Sequence, residues 1–225
     1  MEDITGALTV KDVVTRVRQR PVLAVAPMML GLLLAVAYVA GQTGDPLVLT
    51  LALIGAGATL GFFIWNYPHG LIFLGDGGAY LLGFVLAELG VLLITRNAQV
   101  SPLFPLLLCA YPIFETVFSM YRKFFLRNMS PGIPDGVHLH MLVYKRLMRW
   151  TLGTSARQKT ARNSMTSPYL WMLCMLAVVP AMLFWNSTPV LGGFIVLFGV
   201  VYTGLYWRIV RFRTPRWLVV RKRRR

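Results

Sequence analysis

Six apolar runs divide the chain, covering residues 21–41, 46–66, 77–95, 101–121, 168–186 and 188–207. Each is long enough, at about 1.5 Å per helical residue, to cross a hydrocarbon core of about 30 Å. The pattern predicts an all-α fold, a polytopic transmembrane helical bundle of about six spans. The second run contains Gly57 and Gly61, and the third contains Ala79, Gly83 and Ala87, at intervals of four. Small residues at that spacing let helices pack closely. One polar gap, 122–167, is much longer than the others. Within it, Leu139, Val143, Leu147 and Trp150 share one helical face, and Lys145, Arg146 and Arg149 share another. That pattern predicts an interfacial amphipathic helix in a cytoplasmic loop, with apolar anchors and a basic face for lipid phosphates.

The runs give a domain plan. Residues 1–20 form a cytoplasmic N-terminal segment, and 21–121 form four transmembrane helices with a connector that ends at Asp76. Residues 122–167 form the histidine-containing loop, 168–207 two more transmembrane helices, and 208–225 a basic cytoplasmic tail.

Composition agrees with this plan. The chain is 56% apolar and only 14% charged, where a soluble domain would carry about a quarter charged residues. The 23 Lys and Arg outweigh 8 Asp and Glu, giving a net charge of +15. A nucleic-acid partner is not expected, because the basic residues border the spans and form no separate basic domain. They record topology and affinity for anionic lipid. With six spans, every Lys and Arg except Arg96 falls on one side. The positive-inside rule therefore puts both termini, the Asp76 connector and the long loop in the cytoplasm together. Residues 1–20 lack the apolar core of a cleavable signal peptide, so none is expected. Cys109 and Cys174 lie in separate runs and read as small buried side chains, with neither a disulfide nor a zinc site.

Against this apolar background the chemistry is sparse. Asp76 stands between Gly75 and Gly77 where the chain re-enters the membrane. A carboxylate at that depth needs a hydrogen-bond donor, water or a cation, and the glycines let a phosphate or backbone approach. A solvated Asp in a glycine-rich turn is the plainer reading. Glu115 lies inside the fourth run, where an ionisable residue is a functional candidate by default. A carboxyl that stays protonated or pairs with a neighbouring helix explains it equally well. Glu88, in the third run, reads as structural, and His69 as incidental. His138 and His140 lie two apart in a segment broken by Pro131, Pro134 and Gly136. An extended chain would aim both at one phosphate or carboxylate, whereas a helix would point them about 200° apart. The alternative is two solvated histidines. Arg122 and Lys123 either contact lipid phosphate or serve topology alone.

Three stretches occur in a telling order: Phe73-Leu74-Gly75-Asp76-Gly77-Gly78, then Pro112-Ile113-Phe114-Glu115 with Tyr121-Arg122-Lys123, then Pro134-Asp135-Gly136-Val137-His138-Leu139-His140. From about residue 27 to 150 the chain resembles the polyprenyl-phosphate N-acetylhexosamine-1-phosphate transferases of glycosyltransferase family 4. The resemblance implies a magnesium-dependent enzyme of the bacterial inner membrane, acting in cell-envelope glycan synthesis. A UDP-N-acetylhexosamine would give its sugar-1-phosphate to a polyprenyl phosphate and release UMP. Asp76 matches the family's metal-binding aspartate. Asp135, His138 and His140 match its cytoplasmic histidine loop, which lines the nucleotide-sugar site. Arg122, Lys123, Arg146 and Arg149 are candidates for the lipid phosphate, and a homo-oligomer is a candidate assembly.

The chain also departs from the pattern. Met141 stands where the family often has a further His. No Asn-x-x-Asp motif precedes Asp76, and only Glu2-Asp3 could be a remnant of the family's earlier acidic motif. The family usually has ten or eleven spans. The chain therefore looks like the C-terminal part of such an enzyme, truncated or internally deleted. It assigns no catalytic residue, and the purified chain is expected to turn over little or not at all. An inactive membrane subunit, or a fragment that binds lipid phosphate or a partner half, is the alternative. A small transporter fits less well, because no run is visibly broken at mid-membrane and no inverted repeat shows.

Overall fold

The computed structural model describes residues 25–67, 71–126, 138–147 and 159–211. Among them every regular element is helical: α1 (Val25–Thr43), α2 (Pro46–Asn66), α3 (Gly75–Arg96), α4 (Leu103–Leu108), α5 (Ala110–Tyr121), α6 (Leu139–Leu142), α7 (Lys159–Leu183) and α8 (Thr188–Val210). Wider π-type turns continue α5 over Arg122–Leu126 and α6 over Val143–Leu147. Four stretches are long and apolar enough to cross a membrane: α2, α3, Ser164–Leu183 within α7, and α8. Pro27–Thr43 in α1 is a shorter apolar helix. The protein is a multi-pass membrane bundle, as the apolar pattern predicts.

Local chemistry sets the helix ends. Gly44 takes a positive φ of 71° after α1, a backbone shape that costs glycine little. Asp45 then caps α2, accepting from the Val48 N–H at 3.2 Å, and Pro46 follows at the first helical position. Both residue types suit those positions. The fourth expected span is not one helix but two, α4 and α5, separated at Cys109 (φ −92°, ψ 18°). Pro112 offers no N–H to the Leu108 carbonyl, and its ring crowds that oxygen, so the helix breaks there. The expectation of unbroken spans fails at this point. α7 starts earlier than its apolar run, at Lys159, and carries Pro168 and Pro180 inside it.

The bundle is built around α1, where Leu32, Leu33, Ala35, Val36, Val39 and Ala40 are fully buried. It packs against α2, α3 and α7. α2 buries Val48, Ala52 and Ala56, one face at i, i+4 and i+8. α5 meets α8 through aromatic rings: Phe114 lies 5.5 Å from Phe198, and Phe118 lies 4.7 Å from Tyr206. This approach requires Gly199, because a Cβ there would come within 2.8 Å of Phe114.

The helices alternate in direction, and hydrogen bonds mark the two ends. At one end, the Arg96 guanidinium and the Asn97 amide donate to Asp45. There too the Ser101 N–H donates to the Trp185 carbonyl, and the Ser101 and Thr188 hydroxyls lie 2.8 Å apart. At the other end, Arg122 donates to Tyr206 and Arg146 to the last carbonyls of α8. α4 and α5 together run the length of the bundle between these ends. Asp76, some 20 residues and about 30 Å along α3 from Arg96, lies at the Arg122 end with the histidine segment. Of the expected domain segments, 1–20 and the part of the tail 208–225 beyond residue 211 lie outside the described residues.

Candidate functional site

Asp76 occupies the first turn of α3. The connector before it is held folded. Asn66, wholly buried, donates from Nδ2 to the Ile72 carbonyl at 2.8 Å, and the Leu71 N–H donates to the Trp65 carbonyl. Gly75 enters the helix at φ 69°. The Asp76 carboxylate is exposed and makes no hydrogen bond or ion pair among the described residues. The helix N-terminus favours its charge. Asn66 is a positioning residue that sequence reasoning missed; its signal is a polar side chain closing an apolar run.

The histidines approach from another direction. His138 is extended (φ −63°, ψ 151°), and α6 begins at Leu139. The change of backbone at that step sends both rings the same way. They stack at 5.6 Å between centroids with 12° between planes. The anticipated extended run therefore ends at His138, yet the pair still converges. Leu139, Leu142 and Val143 are buried in the core. The segment packs against α7 and α8, so its apolar face meets protein where an interfacial helix was expected to meet lipid. Trp150 and Arg149, the end of that expected helix, lie outside the described residues, as do His69 and Asp135.

Glu115 meets the histidine segment. It lies seven residues before Arg122, about 10 Å along the helix. Its Oε1 accepts from the Leu139 N–H at 2.9 Å and lies 3.0 Å from His138 Nδ1. Only 13% of the side chain is exposed. The Tyr111 and Tyr202 hydroxyls face the carboxylate, but Oε2 is buried without a hydrogen-bond partner. Burial pushes the His140 imidazole below its ordinary range; His138 pushes the same way and Glu115 opposes. The intramembrane carboxylate was legible as a candidate. Its partner, 23 residues on, was not.

The basic candidates are engaged with the protein. Arg122 is 5% exposed; its Nη1 donates to the Tyr206 hydroxyl at 2.8 Å, and its guanidinium lies 5.4 Å from that ring's centroid. Lys123 is buried. Arg146 donates from Nη1 to the Ile209 carbonyl at 2.8 Å and also to that of Val210, where a cation complements the helix dipole. Glu88 is exposed on α3.

Among the described residues no three His, Cys, Asp or Glu side chains converge as a protein-only metal site requires. Magnesium is usually held by one or two carboxylates plus substrate phosphates. The exposed Asp76 carboxylate, with no cation paired to it among the described residues, fits one such ligand. The arrangement thus offers a hard anionic ligand, two parallel imidazoles backed by a carboxylate, and several cations at one end of an apolar bundle.

Residues 22–95 match glycosyl transferase family 4. The chain is 27% identical over 169 residues to a Bacillus subtilis protein named probable undecaprenyl-phosphate N-acetylglucosaminyl 1-phosphate transferase. That alignment covers 74% of this chain and 43% of the relative. It is 31% identical over 91 residues to the undecaprenyl-phosphate alpha-N-acetylglucosaminyl 1-phosphate transferase of Thermotoga maritima, covering 40% and 30%. The chain therefore spans less than half the length of these relatives. No solved structure matches it.

Proposed function

We propose that the chain, whose residues 22–95 match glycosyl transferase family 4, serves sugar-1-phosphate transfer to a polyprenyl phosphate. The donor in this reading is a UDP-N-acetylhexosamine, and the setting is the bacterial inner membrane with the Asp76 end in the cytoplasm. The observation that carries the reading is the stacked His138–His140 pair at the same end of the bundle as Asp76. Phosphoryl transfer needs positioning and charge neutralisation more than covalent chemistry from the protein. Bound magnesium would neutralise the diphosphate, with Asp76 as one ligand. His138, His140 and Asp135 would meet the nucleotide sugar. Arg122, Lys123, Arg146 and Arg149 would meet the acceptor phosphate.

A second reading is favoured by one observation: among the described residues no further His, Cys, Asp or Glu side chains gather with Asp76 into a group of three. The chain would then bind substrates as a subunit and transfer little by itself. One assay separates the two: transfer of labelled sugar-1-phosphate from UDP-N-acetylhexosamines to undecaprenyl phosphate with magnesium, run beside UDP-sugar binding. Binding that weakens in both His138→Ala and His140→Ala supports the site. Robust turnover favours the complete enzyme, binding without turnover the subunit. Absence of binding overturns both.

A further inference from the structure

Glu115 Oε1 has two neighbours, the Leu139 N–H and His138 Nδ1. The backbone N–H can only donate, so Oε1 accepts there, and an ionised carboxyl has no proton of its own to give Nδ1. An acceptor facing Nδ1 requires a hydrogen on Nδ1. The same carboxylate takes the first N–H of α6, the turn that carries His140 onto His138. The carboxylate sits among Tyr111, Tyr202, His138 and His140.

We propose that Glu115 is the positioning residue of the histidine pair: it holds His138 with hydrogen on Nδ1, so that Nε2 is the ring atom that meets the ligand. In the neutral ring Nε2 accepts; with a proton added, Nε2–H donates to a phosphate oxygen. In either form the Nδ1–H points at the carboxylate. Glu115 touches no ligand in this scheme. Residues that orient a working imidazole in this way typically change affinity or activity by about 10–100-fold when removed. The ligand's identity, a nucleotide-sugar phosphate, rests on the transferase reading. The tautomer does not.

The test uses the full chain in detergent micelles, labelled with ¹⁵N-histidine. Long-range ¹H–¹⁵N correlations are recorded at about pH 9, above the ordinary histidine range, and His138 is assigned from His138→Asn. The wild type is expected to show the Nδ1–H tautomer at His138. Glu115→Gln keeps an acceptor oxygen and should retain it. Glu115→Met, similar in volume but with no such acceptor, should lose it and weaken binding of UDP-N-acetylglucosamine with magnesium by about tenfold. An Nε2–H tautomer in the wild type overturns the proposal, even where Glu115→Met fails to fold. So does a folded Glu115→Met that keeps Nδ1–H. If no form binds the nucleotide sugar, the transferase reading fails, while the tautomers still decide the role of Glu115.

Discussion

Asp45 and Asp76 are both carboxylates at the N-terminus of an apolar helix, and they live in opposite surroundings. Asp45 has a side chain only 3% exposed, caps α2, and accepts from Arg96 Nε at 2.7 Å and Asn97 Nδ2 at 3.1 Å. Those donors tie the α1–α2 turn to the end of α3. Asp76 is exposed and bonds to nothing among the described residues, although Asn66 and Gly75 fix the connector before it. A carboxylate whose donors are supplied within the fold stabilises the fold. One held in place without donors leaves its charge for something outside it. The rest of each end follows suit: Ser101, Trp185 and Thr188 bond to one another, while the opposite end gathers the histidine pair and several cations.

The largest expected effect falls at Asp45. Asp45→Ala removes an N-cap and a partly buried ion pair, together about 2 kcal/mol of stability. UDP-sugar binding should stay unchanged, because the site lies at the other end of the bundle. Asp45→Asn keeps the cap and should cost less. The pH dependence sharpens this. The Arg96 guanidinium holds the Asp45 carboxyl at about 2, with further help from the Val48 N–H and Asn97 and against the opposing effect of burial. Its folded value thus lies below an unfolded value of about 3.9. The contribution is fully present above about pH 4 and is lost as pH falls through about 2. Thermal midpoints in detergent across that window should fall further in the wild type than in Asp45→Asn. Equal slopes would mean that the pair is not what closes this end.

A smaller effect is expected at Arg146. Its guanidinium holds the Ile209 and Val210 carbonyls, the last of α8. Arg146→Met keeps the apolar stem and loses the donors and the dipole interaction, costing about 1 kcal/mol. Hydrogen exchange should then rise in the final turn of α8 and in residues 139–147, and not around Asp45. Exchange rising at both ends would show that the ends are not independent.

The sequence made these differences partly legible. The bounds of α2 follow from local signals, a capping Asp, a Pro at the first turn and an uninterrupted apolar run. The break at Cys109 was also written locally, in Pro112, but a continuous apolar run masks it. What sequence could not supply is non-local. Glu115 reads as an intramembrane carboxylate and His138 as half of a loop pair, yet their contact depends on residues 138–147 dipping two helical turns into the bundle. Likewise Arg122 and Arg146 read as cations for lipid. Their bonds to Tyr206 and the end of α8 depend on where the eighth helix lies, which the pattern of a loop does not encode.

The smallest expected effect on stability, and the one that bears most on function, is at Asp76. Nothing among the described residues leans on its carboxylate. Asp76→Asn should change stability only by the lost attraction to the α3 N-terminus, about 0.5 kcal/mol at an exposed position. The same substitution removes a hard anionic ligand, so magnesium-dependent binding of a UDP-sugar should weaken strongly, while any magnesium-independent binding should not change. The measurement is a magnesium titration of nucleotide-sugar affinity in wild type and variant, read beside their thermal midpoints. A midpoint that falls as far as that of Asp45→Ala would make Asp76 a structural carboxylate. An unchanged magnesium dependence would return it to a solvated turn. A stable variant blind to magnesium is the outcome that the contrast with Asp45 requires.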